Sequence, residues 1–144
     1  MQELPAPEDM RGMTVRDRHG LIAGRVADLF VDRASGVIRY LGVAAGPRVE
    51  GHVLVPMEDV TSTSDPLDVE LKVPYTGDHL RAGPVTDEGQ APGRLLEAQV
   101  HRHFARIPYW DPRRRERSGG GRAIEVRPGD LDEAATPRIM RWGT

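Results

Sequence analysis

Five apolar runs, each closed by turn chemistry, fill residues 12–73 and leave few folds open to this chain. The runs cover residues 13–16, 22–32, 37–44, 52–60 and 67–73. Between them stand Asp17-Arg18-His19-Gly20, Asp32-Arg33-Ala34-Ser35-Gly36, Ala45-Gly46-Pro47 and Ser64-Asp65-Pro66. Short strands separated by such turns read as one unbroken antiparallel β-meander, because Gly accepts positive φ and Asx side chains satisfy local N–H groups. Val26, Ala27, Leu29, Phe30 and Val31 are apolar on both alternate faces, broken only by Asp28. A strand of that kind is buried on both sides, or bent so that its faces exchange roles. In the next run Gly42 marks a bulge or tight curvature. Residues 67–73 alternate strictly and expect one wet face. Two-sided burial in short curving strands fits a small closed barrel, which abolishes exposed edges.

Composition supports this reading and removes several others. With 16 Gly and 12 Pro in 144 residues, loops are plentiful and a long helical bundle is disfavoured. Aromatic content of 5% means a modest core of Val, Leu, Ile and Ala. The absence of cysteine excludes disulfides, thiolate metal sites and cysteine catalysis. No apolar stretch approaches the roughly 20 residues of a membrane span. Glu3, Glu8 and Asp9 stand where a signal peptide needs basic and apolar residues, so a soluble cytoplasmic protein is expected.

Downstream of the runs, Pro92 and Gly93 precede Leu96, Val100, Phe104 and Ile107, spaced by four, four and three. That spacing predicts one short amphipathic helix of about three turns, stopped before Pro108, whose apolar stripe caps the barrel. The expected division is residues 8–76 as β-domain, 77–110 as loop plus helix, and 111–144 as a flexible Arg/Gly-rich linker and C-terminal arm. Within the arm, residues 123–130 read as a short strand ending in a turn. Ile139, Met140 and Trp142 are large apolar groups near the end of the sequence, expected to dock on the barrel or on a second subunit.

Charge is uneven. Residues 1–80 carry 8 basic and 13 acidic groups, a net of −5, whereas residues 101–117 carry six arginines against Asp111 and Glu116. A mildly acidic body with a basic segment suits an acidic partner, its own twin included. Arg113, Arg114 and Arg115, with Tyr109 and Trp110 beside them, offer guanidinium groups for phosphates and rings for bases, so an RNA-binding or ribosome-associated role is the alternative to protein binding. Trp142 joins these as an expected partner contact.

Catalytic and metal constellations are weak. His101 and His103 lie two apart, pointing about 200° away from each other on a helix, so they do not share one ion. His101 and Glu97 are correctly spaced but lack a third ligand. Both histidines are expected on the surface beside a core Phe104, and His19 and His52 receive no role. Asp17, Asp28, Asp32, Glu58 and Asp59 form no acid/base pair. Asp17 and Asp32 are expected to cap Gly-containing turns, and Asp28 to pair with Arg39 or Arg25 or to hydrogen-bond a neighbouring loop. Gly119-Gly120-Gly121 lacks the strand, Lys and helix of a phosphate loop. No enzyme activity and no cofactor are expected.

The residues also carry a resemblance. Gly12-Met13-Thr14-Val15-Arg16-Asp17, His19-Gly20, residues 24–32, Gly36-Val37-Ile38-Arg39-Tyr40-Leu41-Gly42-Val43 and residues 52–60 together resemble a PRC-barrel domain over about half the chain. That family includes the cytoplasmic part of the photosynthetic reaction centre H subunit and the C-terminal domain of a ribosome maturation factor. Asp78-His79-Leu80-Arg81-Ala82-Gly83-Pro84, then Leu95-Leu96-Glu97 and His103-Phe104, bring the pattern nearest to the H subunit, whose N-terminal membrane helix has no counterpart here. The resemblance implies a mainly β, small antiparallel PRC-type barrel with one short C-terminal helix and an irregular arm. It implies a non-enzymatic interaction module that assembles or tunes larger complexes, expected as a homodimer. Structural roles are expected for Gly20, Asp28, Asp32, Gly36, Tyr40 and Pro56.

Overall fold

In the computed structural model, which describes residues 4–63, 67–87, 89–113 and 138–143, the turn signals sit where the chain reverses. Gly20 and Gly36 take φ of +81° and +74°, the left-handed conformation their turns require. Asp17 accepts the backbone N–H of His19 and Leu21, and Asp32 accepts that of Ala34, so both carboxylates cap their turns as expected. The resulting strands are β1 (Thr14–Arg16), β2 (Ile22–Asp32), β3 (Ile38–Ala44) and β4 (His52–Pro56). They pair antiparallel in sequence order.

Gly42 lies opposite Asp28, beside a register shift on β2 between Val26 and Asp28. A Cβ on Gly42 would approach the Phe30 ring at 3.1 Å, so the glycine makes room for a core aromatic while the strand bends. Consecutive residues on the central strands are buried: Tyr40 and Leu41 on β3, then Val53, Leu54 and Val55 on β4. Two-sided burial is thus realised.

Beyond β4 the meander departs from expectation. The fourth run splits, because Pro56 ends β4 and Met57–Asp59 form a 3-10 turn. β5 (Thr61–Ser62) and β6 (Leu71–Lys72) follow, so only two residues of the fifth run are in a strand. β6 pairs antiparallel to β5 but parallel to β1, Val15 opposite Leu71, so this short hairpin joins the meander through a parallel pairing. After α2 (Gly77–Arg81), β7 (Val85–Thr86) joins β4. The sheet runs β5-β6-β1-β2-β3-β4-β7, with β8 (Ile139–Arg141) added on β2, giving eight mostly antiparallel strands. β5 and β7 stand at opposite ends of this order, so closure into a barrel, as expected from sequence, is not given by the pairing among the described residues.

α3 spans Arg94–His103 and packs on β4 with Val100 and Phe104 in the core. It ends earlier than the apolar spacing predicts: Phe104 closes it and Ala105 takes a left-handed φ of +55°, leaving Ile107 outside. β8 occupies the edge of β2 opposite β3. Its strand pairing brings Phe30 opposite Arg141, and flanking bonds run from Arg33 N to Arg138 O and from Trp142 N to Leu29 O. Ile139 is buried there, so this part of the arm docks on the β-domain. The strand expected at residues 123–130 and the linker arginines Arg114 and Arg115 lie outside the described residues.

Candidate functional site

The densest polar cluster forms where β3, α3 and the segment after α3 meet. Tyr40 points from β3 into the core and is fully buried. Its hydroxyl donates to Glu97 Oε1 at 2.9 Å and contacts His101 Nε2 at 2.8 Å. Since its one hydrogen goes to the carboxylate, His101 Nε2 is the donor in the second bond. Glu97 and His101 lie one helical turn apart on the buried side of α3. Tyr109 closes the group, donating its hydroxyl to the same Glu97 oxygen at 2.6 Å. Burial pushes the Tyr40 and Tyr109 hydroxyls up, and the adjacent Glu97 charge adds to it. Both therefore stay protonated and act as donors.

His101 is buried, which corrects the expectation of a surface histidine: α3 turns Glu97, Val100 and His101 inward together, and Tyr40 supplies the polar partner. His103 instead stacks on His79 of α2, ring centroids 4.2 Å apart, and each ring nitrogen meets the other residue's carbonyl. Among the described residues no group of three or more His, Asp or Glu side chains is arranged to hold a metal.

A shell of guanidinium groups surrounds the cluster. Arg39 lies over the Tyr109 ring at 4.2 Å, and Arg94 over the Trp110 ring at 3.8 Å. The two aromatic faces proposed from sequence for stacking on bases are thus turned toward the protein's own cations. Arg113 is exposed and ion-paired with Asp111. Trp142 packs against the core and carries the Arg11 guanidinium over its ring.

Asp32 anchors the other end of this shell. Arg138 grips both its oxygens at 3.0 Å, and Arg39 Nη2 approaches Oδ2 at 3.5 Å. Asp28 takes neither Arg39 nor Arg25 as the sequence predicts. It pairs with Arg141 at 2.6 Å and faces His52 at 3.4 Å, because β8 and β4 bring those side chains to the bend in β2. Asp59 pairs with Arg106, yet burial outweighs that charge and raises its carboxyl.

Asp17 and Asp32 move the other way. Burial alone would raise both, but three backbone N–H groups at Asp17 and the Arg138 fork at Asp32 hold them below the ordinary 3.8. A depressed folded value means the unfolded chain takes up the proton first. The stability from these two groups is therefore complete above the unfolded value and drains as pH falls through the lower folded values. Denaturant midpoints of the wild type are expected to drop below about pH 4, with a shallower fall in Asp32→Asn. A variant that reproduces the wild-type acid slope would remove Asp32 from this role.

Beside the cluster lies a cavity of about 300 Å³. Val37, Ile38, Pro56 and Met57 line it, and Arg39, His101 and Tyr109 also border it. A shallower groove of about 440 Å³ lies across the domain along Ile22, Gly24, Ala44 and Gly46, rimmed by Arg25 and Arg81. Next to it Leu21 and Ile22 are 65% and 61% exposed.

This architecture defines a mainly β domain, an eight-stranded and mostly antiparallel sheet with a few short helices. Residues 6–72, from the first helix α1 (Pro7–Met10) through β6, match the PRC-barrel domain family, and that stretch is a PRC-barrel domain. No curated protein matches the chain. Among the described residues no helix is long and apolar enough to cross a membrane.

Proposed function

We propose that the chain is a non-enzymatic interaction module that assembles or tunes larger protein complexes and pairs with itself. In this reading it resembles the cytoplasmic part of the reaction centre H subunit, and acts in the cytoplasm without a cofactor. Residues 8–76 are the barrel-like body, residues 77–110 pack on it, and residues 111–144 form the arm. The observation that carries the reading is the Leu21-Ile22 pair, two large apolar side chains left in water at the start of β2 within the PRC-barrel stretch. Adjacent exposed apolar groups beside a groove have the composition of an interface centre. Arg25 and Arg81 on its rim complement the net −5 of residues 1–80 on a second copy.

Size-exclusion chromatography with light scattering tests this. The expected mass is twice the 15.9 kDa of one chain, reduced to a single chain by Ile22→Asp. A wild-type monomer at high protein concentration would refute self-pairing.

A further inference from the structure

We propose that the cavity between the start of β3 and the 3-10 turn at Met57–Asp59 is a binding site for a small apolar carboxylate, with Arg39 as its charge partner. This goes beyond the interaction role and does not depend on it.

The cavity's size sets the first limit. About 300 Å³ lies at the small end of ligand pockets, enough for a short aliphatic chain or one aromatic ring. Its apolar wall of Val37, Ile38, Pro56 and Met57 favours a body without polar groups. Tyr109 and His101 are fixed from behind through Glu97 and Tyr40, so this side of the pocket is already formed.

Arg39 supplies the head-group preference. Its side chain is 24% exposed and borders the cavity, so the guanidinium offers a charged donor to an acceptor there. Its Nη2 makes only the 3.5 Å approach to Asp32, whose two oxygens Arg138 already holds in a bidentate grip. Its guanidinium carbon lies 4.2 Å from the Tyr109 ring centroid, a cation–π contact that restrains the group. Asp32 is thus shared between two cations, Arg39 and Arg138. Glu58, the acidic residue on the lining, is exposed, where water screens it. One lining guanidinium matches a monoanionic carboxylate rather than a phosphate dianion.

The test is a methyl NMR titration of the full chain with octanoate, with octanol and octylamine as head-group controls. Octanoate is expected to give saturable shifts at Val37, Ile38 and Met57, with octanol and octylamine at least tenfold weaker. Arg39→Gln is expected to bring octanoate down to the octanol level. Val37→Asp, at a half-exposed position on the cavity wall, is expected to weaken octanoate selectively while leaving the fold intact. Absence of saturable shifts, or equal binding of octanoate and octanol, would overturn the proposal. So would a peptide ending in leucine carboxylate that binds tenfold tighter than octanoate, since the site would then belong to chain termini of partner proteins.

Discussion

Deleting residues 138–144 is expected to cost the domain about 5 kcal/mol, which leaves it near the edge of folding. The loss has separable sources. Ile139 is buried, and removing a side chain of that size from a core costs about 2–5 kcal/mol. Arg138 and Arg141 are the close partners of Asp32 and Asp28, two carboxylates sealed from solvent. A buried charged group deprived of its partner costs about 1–3 kcal/mol or more. Arg39 and His52 stay beside the two carboxylates and keep each term near its lower end. With a urea slope of about 2 kcal/mol/M the midpoint falls by about 2.5 M. A shift under about 0.5 M would show that β8 adds nothing to the fold. The single changes Arg138→Met and Arg141→Met should each give a smaller loss, because they spare Ile139.

Glu97→Ala is expected to destabilise by about 3–5 kcal/mol, the range for removing one member of a buried charged network. Two tyrosine hydroxyls lose their common acceptor, and Arg94, 4.0 Å away, loses its carboxylate. Tyr40 is then left with His101 alone among these partners. Glu97→Gln keeps an oxygen for the tyrosines and should recover more than half of the loss, as read from urea midpoints followed by circular dichroism. If the alanine variant unfolds within about 1 kcal/mol of wild type, the cluster is not what holds α3 to the sheet.

What could be read beforehand was local, and what could not was distant. Asp17 and Asp32 announce their turns because a carboxylate two residues before an N–H finds it with no help from the rest of the chain. The run of apolar residues on both faces of β2 likewise forecasts two-sided burial, and Leu29 and Phe30 are buried in succession there. Partner choice is different. Arg138 reaches Asp32 across 106 residues and Arg141 reaches Asp28 across 113, so nearby arginines such as Arg25 and Arg39 looked equally good. The parallel pairing of β6 escaped for the same reason, since alternation states which face is wet but not which neighbour is bonded. His101 stood at the right spacing from Glu97, yet its burial depends on Tyr40, 61 residues earlier. Tyr109 and Trp110 next to an arginine run suggested outward-facing rings, until Arg39 and Arg94, brought by β3 and α3, covered them.

β2 is sided on one edge by β1 at its start and by β8 at its finish, the first and the last strands among the described residues. While the polypeptide is being synthesised, that second half-edge stays bare until Arg138 emerges, 106 residues after Asp32. Asp28 and Asp32 wait throughout without their arginines, and a row of backbone groups remains open to any passing strand. Completion therefore comes as one late step, and a nascent chain stalled before Arg138 is the form most exposed to mispairing with its neighbours.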